Sequence, residues 1–165
     1  GTPIPVWICN ECNSEYCVGS VEEMISMKTD DSPIPPELHR PYVDDVKLNC
    51  SDPNCSGEMI REPYVMDCWF DSGCASFAQW HYPFENKEKF ESVFPVDYIC
   101  EAVDQTRGWF YSLLAVSTTV FDNVAYKRCL SLGHILDKDG KKMSKSRGNV
   151  VNPWDHFNKE GSDAI

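Results

Sequence analysis

Long apolar runs are missing from this sequence: no stretch of eighteen apolar residues occurs, so a membrane-spanning helix is not expected. The start, Gly1-Thr2-Pro3-Ile4-Pro5, lacks both the basic and the apolar regions of an export signal, and a cytoplasmic location is the expectation. Basic residues are scarce too. Fifteen Lys and Arg stand against 26 Asp and Glu, and a net charge of −11 argues against a protein whose main task is to coat nucleic acid. Internal repeats and low-complexity tracts are absent. Cysteine, by contrast, is abundant: there are nine, but the count is odd and the spacings are clustered, which favours metal-binding thiolates over a disulfide scaffold. With 42% hydrophobic and 12% aromatic residues, the 165-residue chain can bury one core or two small ones.

The acidic average hides a basic stretch. Between Ala125 and Asn149 lie Lys127, Arg128, Lys138, Lys141, Lys142, Lys145 and Arg147 against only Asp137 and Asp139. A small anionic ligand there is one reading, and a solvated charged loop is the other.

The pattern changes near Pro63. Residues 1–63 are rich in Cys, Pro and acidic side chains, with weak periodicity and a Pro cluster at Ser32-Pro33-Ile34-Pro35-Pro36, so this part needs a staple. Residues 64–165 read as α/β. Strands are predicted over 64–70, 96–100 and 129–136, and the stripe of Trp109, Phe110, Leu113, Leu114, Ser117, Val120 and Phe121 predicts a helix over 107–121. Strand, helix and strand in that order predict a parallel crossover. Asp104 is a candidate N-cap, and Gly108 falls in the first turn. Asn152-Pro153 predicts a capped helix that Gly161 stops, and the few residues after it read as a chain cut from a longer protein.

Cys9-Asn10-Glu11-Cys12 and Cys50-Ser51-Asp52-Pro53-Asn54-Cys55 are two thiolate pairs on turns, and together they can close a tetrahedral zinc site. Cys17 is an alternative ligand, and free cysteines without metal are the alternative to the site as a whole. Cys68, Cys74, Cys100 and Cys129 sit in apolar runs and read as small core residues.

After residue 136 comes a loop bracketed by Gly140 and Gly148, with two lysines three residues apart and two serines, a composition suited to a flap over a polyphosphate. Lys142-Met143-Ser144-Lys145-Ser146 resembles, letter for letter, a signature of class I aminoacyl-tRNA synthetases. Asp67-Cys68-Trp69-Phe70-Asp71-Ser72-Gly73 and Glu101-Ala102-Val103-Asp104-Gln105-Thr106-Arg107-Gly108-Trp109-Phe110 are similar to segments of the isoleucyl members, in the same order. Valyl and leucyl members usually depart from Trp-Phe-Asp-Ser-Gly. The paired cysteines resemble the zinc-bearing connective region that precedes the catalytic half. Two departures are Ala102 in place of a common Gly, and Leu132 before Gly133 where relatives often have His.

The resemblance implies a fold: the second half of a Rossmann-like parallel-sheet nucleotide-binding domain, preceded by a small zinc-stapled connective subdomain over 1–63. It implies an activity, the joining of L-isoleucine to ATP with magnesium, followed by transfer to tRNA(Ile). Lys142 and Lys145 would carry catalysis; Gly133, Lys142, Met143, Ser144, Lys145 and Ser146 would bind ATP; Trp69, Glu101, Asp104, Gln105 and Trp109 would bind the amino acid and adenylate. The family's other ATP signature, His-Ile-Gly-His, is absent, and Gly133-His134-Ile135-Leu136 has the wrong order. The remainder of the same polypeptide would complete the site, and the piece alone is expected to be inactive. Competing readings are a piece of a valyl or leucyl member of the same family, and an independent zinc-stapled module that binds RNA or a partner.

Overall fold

The computed structural model describes residues 1–164; Ile165, the last residue of the predicted second segment, lies outside the described residues. The first segment is built on an antiparallel sheet of β1 (Val6–Cys9), β2 (Glu15–Cys17), β3 (Leu48–Asn49) and β4 (Glu58–Arg61), in the order β2-β1-β4-β3. Between β2 and β3 come α1 (Val21–Met27) and a 3-10 turn, Tyr42–Asp45. The Ser20 hydroxyl caps α1 by accepting from the Glu23 amide at 3.1 Å.

The register pairs Cys9 with Met59, Leu48 with Met59 and Trp7 with Arg61, so strand alternation sends these side chains to one face. There they join Val18, Met24, Val43 and Val46 in a buried cluster. This core is larger than the weak periodicity of 1–63 led us to expect, because its members come from five short elements of too few residues each to show a period. Trp7 anchors it through an indole N–H donated to the Val46 carbonyl at 2.8 Å. Arg61 is only 4% exposed, and burial of its charge is offset by Asp44 and by the Ile4 and Tyr64 carbonyls, all of which accept from the guanidinium.

The expected strand at 64–70 is not formed. Val65 makes a single bridge to Pro3, and the Asp67 carboxylate then accepts the Trp69 amide at 2.7 Å, starting α2 (Cys68–Gly73). A short, largely apolar stretch such as 64–70 fits either state, and here packing against a later helix decides for the helix. After α2 follow α3 (Ala75–Ala78), α4 (Lys87–Val93), β5 (Ile99–Ala102), a 3-10 turn (Val103–Arg107), α5 (Trp109–Phe121), β6 (Cys129–Leu132), a 3-10 turn (Lys145–Arg147), α6 (Pro153–Glu160) and a last 3-10 turn (Ser162–Ala164).

β5 and β6 are parallel, with Ile99 opposite Cys129 and Ala102 opposite Leu132, as the strand-helix-strand order required. Both strands are displaced or shorter than expected: Val96 makes only an isolated bridge to Tyr126, and β6 ends at Leu132 instead of running to 136. α5 begins at Trp109, with Gly108 as its cap residue. Asp104 is not the N-cap; the Gln105 side-chain oxygen accepts the Trp109 amide at 2.9 Å instead. Asn152 and Gly161 bound α6 as predicted, with Gly161 at φ 85°.

α2 packs against α5 at Gly73, where a Cβ would stand 2.7 Å from the Ser112 carbonyl oxygen, so only glycine permits this approach. Beneath the parallel strands, Ile99, Phe110, Leu113 and Ala125 form a second core. The far end of α5 is held by aromatics from α3, α4 and the residue that caps α4: Phe121 lies 5.0 to 5.3 Å, ring centre to ring centre, from Phe77, Phe90 and Phe94. The four cysteines expected in cores are not buried: Cys68 and Cys129 are exposed, Cys74 and Cys100 half-buried. Cys68 opens a short helix instead of lying in a strand, and Cys129 sits on a two-stranded sheet whose β6 is exposed throughout.

Candidate functional site

Two constellations stand out. In the first, the Cys9-Cys12 turn at the end of β1 faces the loop between β3 and β4. The Asn13 amide donates to the Cys9 carbonyl at 3.1 Å, closing the turn, while Asp52 accepts from the Asn54 amide at 2.9 Å and curls the second loop. The sulfurs of Cys9, Cys12, Cys50 and Cys55 all lie within 4.8 Å of one another, with Cys12 3.5 Å from Cys50 and Cys9 3.8 Å from Cys55. Four thiolates around one tetrahedral zinc would be roughly 3.8 Å apart, given a zinc–sulfur bond of about 2.3 Å. The donor set therefore fits the ion. Cys17 lies on β2, outside this group.

The four thiols are electrostatically unequal. The Ser14 hydroxyl and backbone hold the Cys12 thiol down to about 6. At Cys55 the Gly57 amide pulls the other way from desolvation and the neighbouring thiols, which together push it up to about 12. Four thiolates without a cation repel one another, and a dication removes that cost. Gly57 is required beneath them, since a Cβ there would stand 2.6 Å from the Cys9 sulfur.

The second constellation lies at the carboxyl ends of β5 and β6, where parallel α/β sheets bind ligands. An open cavity of about 480 Å³ is lined there by Glu101 and Ala102 from β5, by Gly133 and His134 just past β6, and by Lys142 and Met143 of the basic loop. Of the predicted site residues, the structure brings Glu101, Gly133, Lys142 and Met143 together. Ser144, Lys145 and Ser146 continue the same loop but do not line the cavity.

Asp104 and Gln105 lie on the 3-10 turn beyond Glu101, Asp104 with its carboxylate 3.9 Å from His134 Nδ1. Gln105 already caps α5. Trp109 donates its indole N–H to the Ser72 carbonyl at 3.0 Å, locking α5 to α2, and lines a separate cavity of about 220 Å³ with Ile99, Leu113 and Ala125. Trp69 is not part of that cavity; its ring edge lies against Gly108, 3.2 Å from where a Cβ would be.

The basic loop has an internal frame. The Asp137 carboxylate accepts from the Asp139 and Lys141 amides and from the Asn149 side chain, while Asn149 in turn accepts from the Ser144 amide at 2.9 Å. These contacts, the Asn149 side chain foremost, hold the Asp137 carboxyl below the usual carboxylate range. Gly140 and Gly148 take positive φ, 73° and 66°. Asn149 and His134 were not singled out from the sequence; the only signal for either was proximity to the loop.

Comparison with known proteins places these features in context. The family model for tRNA synthetases class I (I, L, M and V) matches residues 1–165. An isoleucine–tRNA ligase of Clostridium novyi (strain NT) is 59% identical over 164 residues, covering 99% of this chain and 15% of the relative. Isoleucine–tRNA ligase 2 of Bacillus cereus is 54% identical over 165 residues, all of this chain and 16% of the relative. The chain thus spans about a sixth of the length of the relatives it matches. Among solved structures, LeuRS of Agrobacterium radiobacter K84, crystallised in a ternary complex with tRNA and LeuAMS, superposes with a TM-score of 0.68 at 24% identity, over 98% of this chain and 21% of that one.

Proposed function

This chain belongs to the class I tRNA synthetases, and on that premise we propose that it is part of an isoleucine–tRNA ligase that activates L-isoleucine with ATP and passes it to tRNA(Ile) in the cytoplasm. The observation that carries this reading is the meeting of Glu101, from the end of β5, with Lys142 and Met143 of the basic loop across one cavity. Residues 64–165 then supply the second half of a Rossmann-like catalytic domain, and residues 1–63 a zinc-stapled connective region. The names of the relatives favour isoleucine over valine or leucine, and the net charge of −11 speaks against an independent RNA-binding module.

In this reading catalysis is an in-line displacement at the α-phosphate, with the isoleucine carboxylate as nucleophile and pyrophosphate as leaving group. No protein nucleophile is needed, so positioning and charge stabilisation carry the rate. Lys142 and Lys145 stabilise charge developing on pyrophosphate. Gly133 leaves room for the nucleotide, and Met143, Ser144 and Ser146 line its path. Glu101 and Asp104, both exposed carboxylates, offer the charge an ammonium group requires, while Gln105 contributes by holding the start of α5. Trp109, which lines its own cavity, offers an apolar wall for the branched side chain; Trp69, outside that cavity and against Gly108, is assigned as the second wall on the resemblance alone. Magnesium would supply charge neutralisation on ATP, and Cys9, Cys12, Cys50 and Cys55 would hold a zinc ion that fixes the connective region.

The test is pyrophosphate exchange by the full-length protein with each of the three branched amino acids. Exchange stimulated by isoleucine well above valine and leucine is expected; stimulation by neither isoleucine nor its relatives would remove the reading.

A further inference from the structure

Two side chains assigned to the amino-acid site, Trp69 and Gln105, close on the backbone of Gly108. Gly108 is buried, and its own polar groups are engaged: its amide donates to the Gln105 carbonyl at 3.1 Å, and its carbonyl accepts from the Ser112 amide at 3.0 Å. Its Cα is thereby held in place. A Cβ there would stand 2.7 Å from Gln105 Oε1, and 3.2 and 3.4 Å from Cη2 and Cζ2 of the Trp69 indole. The missing side chain is what lets both neighbours approach this one position.

The two neighbours differ in how they can give way. Gln105 Oε1, which accepts the Trp109 amide at 2.9 Å, is the end of a flexible chain and can swing aside. Trp69 has less freedom. Its backbone belongs to α2, and moving that helix off α5 would break the bond from the Trp109 indole N–H to the Ser72 carbonyl at 3.0 Å. Only the ring can move. Trp69 is 43% exposed, so the direction left to its ring is the open side, away from Gly108.

We propose that Gly108 is a positioning residue that sets side-chain specificity: having no side chain, it seats the outer ring of Trp69, and the depth of that seat fixes the room left for a branched amino acid. This inference rests on the proposed activation of isoleucine, in which the open side of Trp69 faces the substrate side chain. A shallower seat carries the ring toward the ligand. That costs isoleucine more than valine, which is shorter by one methylene.

The experiment is amino-acid-dependent pyrophosphate exchange by the full-length protein, with isoleucine and with valine, for wild type, Gly108→Ala, Trp69→Phe and the double variant. Trp69→Phe removes the outer indole atoms that the added carbon would meet. Gly108→Ala should raise the KM for isoleucine roughly fivefold or more, the lower end for overpacking a tight contact, with the KM for ATP unchanged. It should also lower the isoleucine-to-valine ratio of kcat/KM. In the Trp69→Phe background the same substitution should change that ratio by less than about twofold, because the two effects are coupled through one contact. An equal change in both backgrounds overturns the proposal, since the added carbon then acts through something other than the ring. An unchanged ratio in Gly108→Ala does so too, as does a KM for ATP that rises in step with that for isoleucine. If Gly108→Ala does not fold, the double variant decides: folded protein with the ratio of Trp69→Phe supports the seat, and any other result overturns it. No exchange by wild type with either amino acid instead overturns the activity itself.

Discussion

Asn149 donates its side-chain amide to the Asp137 carboxylate at 2.6 Å, tying the beginning of the lysine-rich loop to its end. Lys141, Lys142, Lys145 and Arg147 repel one another, so a loop of this composition tends to open. The Asp137–Asn149 contact is the chief internal feature opposing that tendency. Asn149→Ala should therefore speed hydrogen exchange at the Lys141 and Ser144 amides by roughly tenfold, the scale for hydrogen bonds to a charged group. Unchanged protection would mean the loop is ordered by something else.

The same carboxylate makes the loop sensitive to acid. Asp137 has its proton affinity lowered in the folded state by Asn149 first and by the Lys141 and Asp139 amides after it. A lowered acid contributes its full stabilisation above its unfolded value, about 3.9, and loses it as pH falls through the folded value. Protection at Lys141 should be flat from pH 7 to about 5 and decline only below about 4. A decline centred near neutrality would point to another group.

At the cysteine cluster, full-length protein prepared without chelator should contain about one zinc per copy of this site, as a four-ligand structural site requires. Cys50→Ser should remove it, and Cys17→Ser should not. Gly57→Ala should also weaken metal retention, since its new methyl group meets the Cys9 sulfur. Equal zinc content in wild type and Cys50→Ser would refute the ligand assignment.

Gly73→Ala tests the α2–α5 contact. The added carbon would stand 2.7 Å from the Ser112 carbonyl and 2.9 Å from a Val116 methyl, so the helices must separate. A loss of about 1 to 3 kcal/mol in urea unfolding is expected, the range for overpacking a tight contact. An unchanged midpoint would show that the two helices are free to move apart.

Lys145 concerns the chemical step. It lies on the 3-10 turn after Ser144 and does not line the cavity, so its contact with the leaving group is expected to form as the reaction proceeds. Contacts made only in the transition state raise the rate more than the affinity. Lys145→Ala in the full-length protein should lower the single-turnover rate of adenylate formation by roughly two or more powers of ten, with a smaller change in ATP affinity. A normal rate with weakened ATP binding would make the lysine a ground-state anchor.

What the sequence by itself determined is local. The two cysteine pairs, the capped helix at Asn152-Pro153, the stripe of α5 and the basic loop each depend on residues within one or two turns of chain, where spacing dictates geometry. The parallel pairing of β5 and β6 follows from their order with a helix between them. Only the tertiary structure decided the rest. Asp67 to Gly73 became a helix because Gly73 lets it lie against α5, 39 residues away at Ser112. Gln105 rather than Asp104 caps α5 because the 3-10 turn carries its amide to Trp109. Trp7, Leu48 and Met59 became a core through strand register, which brings β4 onto β1 from about 50 residues away. Asn149 gained its role from where the loop closes on Asp137. Spacing along the chain carries no information about contacts between distant segments, and those contacts settle every choice that local preference leaves nearly balanced.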